Sequence, residues 1–261
     1  HRAVCLSNRE ALERAEQWFY AQNNRHSYSV DELRNSDLYS SAVCPKAGVF
    51  FWLDFPAETD LYQSIMGCSV HGVDTTTEEN EQIFNYVLFR SDFSDSTAWR
   101  VVSGNWKFEN GVARSPLTGE NRAFAGEEDW TNYTIIANAR VVQGKGLGIY
   151  FRATDVKNVD GYVFQVDPGL GNKFVFRRLT DGKESSPIAT ANGPSGFDWY
   201  ASHQIEIKVE NDTFVAYVDG KEVLRASDST YGNGMIGIRS WSGSEAEFND
   251  IEVKQQPEEK K

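Results

Sequence analysis

The sequence predicts two folds in series: an α+β module, with an N-terminal helix on a small antiparallel sheet, over residues 1–87, and an all-β sandwich or jelly roll over 88–254. Three observations carry this. At 261 residues the chain exceeds the usual size of one domain. Its composition changes along its length, because all three cysteines (Cys5, Cys44, Cys68) but only 3 of the 21 glycines fall within 1–87. The hydrophobic period also changes, from helical near the start to alternating beyond Trp99.

The helix is expected over Ser7 to Gln22, where Ala11, Ala15, Trp18, Phe19 and Gln22 form an apolar stripe. Glu10, Glu13 and Glu16 are expected in its first turns, against the positive end of the helix dipole. Val49 to Phe55, with Phe50, Phe51 and Trp52, supplies strand for the stripe to cover. The polar segment 73–88 reads as the join. Beyond it, Tyr133, Ile135, Ala137, Ala139 and Val141 alternate with more polar neighbours, as do Ile205, Ile207 and Val209. Asn110-Gly111, Gly144-Lys145-Gly146, Asp181-Gly182, Asn211-Asp212 and Asp219-Gly220 mark turns between such strands. Residues 255–261 are polar and read as a frayed tail.

Composition bounds function. With 40% hydrophobic and 25% charged residues the chain can bury a core and is not a disordered sequence. A net charge of −12 repels phosphate backbones, which excludes nucleic acid as the expected partner. No run of 18 apolar residues is present, and the start at His1, without methionine, reads as processed or trimmed.

The first half resembles the globular part of a type IV pilin of the kind made by Gram-positive bacteria. The residues are the helix Ala11 to Ala21, then Tyr28, Asp31 and Leu33, then Cys44-Pro45-Lys46-Ala47-Gly48-Val49, and finally Cys68-Ser69-Val70-His71-Gly72. That resemblance implies a hydrophobic helix before His1 that anchors the subunit in the inner membrane before assembly. It also implies an oxidising exterior in which Cys44 and Cys68 pair as a disulfide, with Cys5 left as a packed thiol. The second half resembles the concanavalin A-like lectin/glucanase sandwich, nearest its laminin-G-like and carbohydrate-binding-module branches. It does so through Phe93 with Trp99, Gly104-Asn105-Trp106, Gly148-Ile149-Tyr150-Phe151-Arg152, Tyr217-Val218-Asp219-Gly220, Gly234 to Ile238, and Phe248 to Val253. Together the resemblances imply a minor pilin at the tip of an extracellular filament, acting as an adhesin for host glycans, with other pilins as partners.

Strand alternation names the candidate site. With Ile149 and Phe151 inward, Tyr150 and Arg152 face outward; the same logic exposes Gln165, Arg177, Arg239 and Trp241. A one-residue slip in register would exchange the two faces. Aromatic rings and planar hydrogen-bonding groups suit a sugar, and three arginines in an acidic protein suit an acidic one such as a sialylated glycan. The bland alternative is an ordinary solvated sheet face. Lectin-like sandwiches also hold structural calcium, for which Asp92 and Asp250, on the opening and closing strands, are the candidates. A glycoside hydrolase is the rival function, but the Glu-x-Asp-x-x-Glu run that glucanases of this fold carry is missing, and none of the four histidines neighbours a nucleophile pattern. A non-catalytic binding protein is therefore expected, with a purely structural pilin as the third reading.

Overall fold

A computed structural model describes residues 2–23, 27, 32–33, 50–53, 66–68, 86–94, 96–154 and 158–256. The chain divides into two compact units, His1–Arg90 with Lys254–Lys261, and Ser91–Val253.

In the first unit, α1 spans Arg2–Asn23. It starts at Arg2, ahead of the expected Ser7, so the three glutamates fall beyond the first turn. The buried face is Leu12, Ala15, Glu16 and Phe19, a spacing of i, i+3, i+4 and i+7. Ala15 and Phe19 belong to the expected stripe, whereas Trp18 is 48% exposed and Gln22 is also exposed. Glu16 is buried because it has partners. It accepts hydrogen bonds from Ser27 N at 3.1 Å and Ser27 Oγ at 2.5 Å, and lies 3.8 Å from Arg90 Nη2. Three strands follow: β1 (Phe50–Leu53), β2 (Met66–Cys68) and β3 (Tyr86–Ser91). β1 pairs antiparallel with β2, Phe50 opposite Cys68, and with β3, Trp52 opposite Val87, and α1 lies against β2. Cys44 and its expected disulfide, together with the motif residues Ser69 to Gly72, lie outside the described residues. Among the described residues no helix is long and apolar enough to cross a membrane.

The second unit is the expected sandwich. Its strands are β4 (Arg100–Ser103), β5 (Lys107–Glu109), β6 (Val112–Arg114), β7 (Asn121–Ala125), β8 (Tyr133–Gln143), β9 (Leu147–Ala153), β10 (Gly161–Asp167), β11 (Lys173–Thr180), β12 (Lys183–Glu184), β13 (Ala189–Asn192), β14 (His203–Glu210), β15 (Thr213–Val218), β16 (Lys221–Ser227), β17 (Met235–Ser240) and β18 (Glu245–Gln255). One sheet runs β16-β15-β14-β8-β18, with β6 on β18 and β5 on β6; the other runs β12-β11-β10-β9-β17-β7-β4, with β13 also on β11. Asn110-Gly111, Asp181-Gly182, Asn211-Asp212 and Asp219-Gly220 each close an antiparallel hairpin, whereas Gly144-Lys145-Gly146 carries the chain from β8 in one sheet to β9 in the other. At Asn110-Gly111, for example, φ is 54° and then 75°, the left-handed pair that Asn-Gly accepts most readily.

The core lies between the sheets. Phe151 and Tyr162 of the second sheet meet Phe214 of the first at 5.0 and 4.6 Å between ring centroids, with Ile149, Phe164, Phe174, Phe176, Ile236 and Ile238 buried on the same side. Burial of each such side chain stabilises by about 2 kcal/mol. Alternation therefore directs Tyr150, Val163, Gln165, Arg177, Gly237 and Arg239 to the opposite, outer face of the second sheet, where the registers bring them side by side: Tyr150 opposite Val163 and Gly237, Gln165 opposite Gly148, and Arg239 opposite Gly148 and Arg122.

One residue breaks the alternation. Between Met235 and Gly237 the pairing of β17 with β9 shifts register, and Arg152 takes a left-handed φ of 48°. A Cβ at Gly161 or Gly234 would stand 2.6 or 2.5 Å from the Arg152 backbone, so both sides of the bulge require glycine.

Candidate functional site

On the outer face of the second sheet the side chains form a connected polar cluster. Arg239 is its centre, with its side chain 7% exposed. Its Nε donates to Glu120 Oε1 at 2.5 Å, and its Nη1 donates to Glu184 Oε1. Glu184 also accepts from Gln165 Nε2 at 2.9 Å and pairs with Arg177 Nε at 3.3 Å. Arg177 donates further to Gln165 Oε1 at 3.0 Å and to the Ser185 carbonyl at 3.0 Å. Arg122 Nε reaches Glu120 Oε1 at 3.3 Å. The charges close on one another, so each planar group is held in a fixed orientation.

Aromatic groups complete the cluster. The Arg239 guanidinium lies 5.2 Å from the Trp241 ring centroid and 5.8 Å from that of Tyr150, and Tyr150 stacks on Phe124 at 5.1 Å. Gly146 makes room for the indole, since a Cβ there would stand 2.8 Å from Trp241. Burial opposes the charge on Arg239, but Tyr150, Glu120 and Glu184 outweigh it and hold the guanidinium above its ordinary range. Burial pushes the Tyr150 hydroxyl up to about 12, with Arg239 and Arg122 opposing, so the phenol is neutral at any physiological pH.

The sequence-derived residues divide on this geometry. Tyr150, Gln165, Arg177, Arg239 and Trp241 come together; Tyr150 and Gln165 are buried beneath the cluster, contrary to the expectation of an exposed face. Arg152 does not join them. The bulge turns it away, and its side chain is spent on backbone carbonyls: Nε and Nη2 donate to Thr131 at 3.2 and 3.1 Å and Nη1 to Tyr231 at 3.0 Å. Burial lowers its pKa, and among the described residues no carboxylate is hydrogen-bonded to it. Glu120, Arg122 and Glu184 are the members that the sequence reading missed. Glu120 precedes β7 in a stretch that reads as a polar turn, and Glu184 lies in a two-residue edge strand too short to show alternation.

Both calcium candidates carry hydrogen bonds within the protein. Asp92 Oδ1 accepts from Ser94 N at 2.9 Å in a local turn, and both oxygens of Asp250 accept from Asn138 Nδ2 at 2.9 and 3.0 Å. Among the described residues no three His, Cys, Asp or Glu side chains gather as a metal site.

A family model described as the 3-keto-alpha-glucoside-1,2-lyase-like domain matches residues 86–254. The chain belongs to this family. The matched span contains every strand of the sandwich and the whole polar cluster. A curated relative, a levanase of Bacillus subtilis strain 168, is 26% identical over 160 residues, which cover 60% of this chain and 23% of the levanase; the chain thus spans under a quarter of that relative's length. Among solved structures, the carbohydrate binding module CBM66 from Bacillus subtilis superposes with a TM-score of 0.54 at 22% identity, over 61% of this chain and 96% of the module. The exoplasmic/lumenal domain of VIP36 in its Ca2+/mannose-bound form gives 0.52 at 9% identity, over 62% and 85%. A prokaryotic β-1,3-1,4-glucanase from a mouse hindgut metagenome gives 0.51 at 15% identity, over 64% and 99%. The lyase-like domain thus shares its sandwich fold with a carbohydrate binding module, a mannose-bound lumenal domain and a glucanase, and the fold alone does not choose among their functions.

Proposed function

We propose that the chain is a carbohydrate-binding protein whose glycan site is the outer-face cluster of Glu120, Arg122, Tyr150, Gln165, Arg177, Glu184, Arg239 and Trp241. The observation that carries this reading is the interlocked set of donors and acceptors around Arg239, flanked by aromatic rings. A sugar hydroxyl both donates and accepts, and an arginine paired with a glutamate offers both functions at fixed positions. Three guanidiniums face two carboxylates, so most of the positive charge is matched within the protein. That removes the main reason to expect a sialylated ligand, which was a basic patch of three outward-facing arginines, and favours neutral glycans, among them the levan that names the Bacillus relative. The test is a glycan array probed with the full chain and carrying neutral, sialylated and levan-type saccharides. Retention on neutral glycans supports the reading; retention on sialylated glycans alone restores the anionic one, and binding to none overturns it.

The finer proposal is that residues 1–87 form a pilin module, that 88–254 form the glycan-binding module, with 255–261 a tail, and that the chain is a minor subunit at the tip of an extracellular type IV filament, acting as an adhesin. Its support is the pilin resemblance of the first half together with a helix lying against an antiparallel strand pair in the first unit.

A second reading, as a lyase, has its own support in the family's description and in two carboxylates beside a neutral phenol. Elimination from a 3-keto-glucoside needs a carboxylate to take the proton next to the carbonyl, donors on the resulting enolate oxygen, and departure of the alcohol with the broken C–O bond. Both carboxylates are already engaged by the Arg239 guanidinium, which favours binding.

A further inference from the structure

Three tyrosines of the second unit have rings fully buried in the sandwich, and two of the hydroxyls are hydrogen-bonded. Tyr133 Oη donates to the Gly234 carbonyl at 3.2 Å and accepts from Arg152 N at 2.7 Å. Tyr162 Oη donates to Asp228 Oδ1 at 2.7 Å and accepts from Tyr231 N at 3.0 Å. Tyr150 Oη is equally inaccessible and has no hydrogen-bond partner among the described residues. Sequestering a hydroxyl without a partner destabilises a fold, so a phenylalanine would serve the Phe124 stack better than this tyrosine does.

The position of the hydroxyl explains what it is for. It lies on the outer face, within the fields of Arg239, Arg122, Glu120 and Glu184, under the guanidinium that bridges the two carboxylates. Those carboxylates are not locked away: the Glu120 and Glu184 side chains are 35% and 29% exposed. A ligand hydroxyl that exchanges with one of them on Arg239 enters the space above Tyr150. There it accepts from the phenol, which is always protonated, and donates to the displaced carboxylate.

We infer that Tyr150 Oη is the specificity post of the site, an unpartnered donor kept at the floor of the cluster to receive one alcohol oxygen of the ligand. This rests on the glycan reading above and adds to it the group that the site recognises. An alcohol meets both the phenol donor and a carboxylate acceptor, whereas an ether or fully substituted oxygen meets only the first.

The experiment compares the full chain with Tyr150→Phe, Tyr133→Phe and Tyr162→Phe, by thermal unfolding and by titration against a panel of immobilised neutral oligosaccharides. Tyr150→Phe is expected to raise the Tm by about 3 °C while weakening glycan binding on the order of 10-fold; the other two are expected to lower the Tm. A fall in Tm for Tyr150→Phe would mean that its hydroxyl is bonded within the protein, and the inference fails. Unchanged binding by Tyr150→Phe removes the post and leaves the glycan site standing. A wild-type chain that binds none of the panel removes both.

Discussion

Arg239→Ala is expected to reduce glycan binding by at least about 100-fold while leaving the sandwich folded. Arg239 is the hub of the cluster: it holds Glu120 through Nε and Glu184 through Nη1, lies over Tyr150 and faces Trp241. Without it the two carboxylates lose their shared cation and the site loses its alternation of donor and acceptor. The fold tolerates the loss because both glutamates are about a third exposed and keep Arg122 and Arg177 as partners. Arg239→Lys restores the charge without the two-pronged geometry, so it is expected to recover little of the affinity. Titration with the glycan retained by the wild type measures this, and circular dichroism on the same samples checks the fold. Arg114→Ala, on the other sheet, breaks exposed pairs to Glu245 and Glu247 and is the control expected to change nothing in binding.

Arg152→Ala is expected to do the reverse, costing about 3 kcal/mol of stability and roughly 10 °C in Tm with binding per folded molecule unchanged. The side chain is 2% exposed and ties the start of β8, through Thr131, to the loop before β17, through Tyr231. Its removal leaves two carbonyls without their donor at a bulge already held in a left-handed conformation. Arg152→Lys is expected to recover only part of the loss, because an ammonium cannot reach both carbonyls in the plane of the guanidinium. Thermal unfolding and glycan titration on the same variant separate the two arginines cleanly: one is a ligand group, the other a clamp.

These opposite expectations also show where the sequence was legible. The alternation of Ile149, Tyr150 and Phe151, of Phe164 and Gln165, of Phe176 and Arg177, and of Ile238 and Arg239 was enough to place four side chains on one face, because strands buried on one side must keep their period. It failed at Arg152 because a bulge adds one residue and reverses every facing beyond it, and the glycines that announce the bulge, Gly161 and Gly234, are remote in sequence from the residue they press upon. It also could not show that Tyr150 would be covered. Its cover is the Arg239 guanidinium, held over the ring by Glu120 and Glu184, which come from a turn and a two-residue strand remote in sequence from it. In the helix, the spacing gave Ala15 and Phe19 correctly but exchanged Trp18 for Leu12, because the buried stripe is centred on Glu16, whose burial depends on Ser27 and Arg90 beyond the helix itself.

The central claim is that ligand meets the outer face of the second sheet. Hydrogen–deuterium exchange of the full chain, with and without the tightest-binding glycan from the array, tests it most directly. The account predicts added protection in peptides covering 117–125, 163–167, 173–186 and 237–243, with none in 204–217 or 245–253 of the opposite sheet. Protection confined to the opposite sheet, or to residues 1–90, would contradict it.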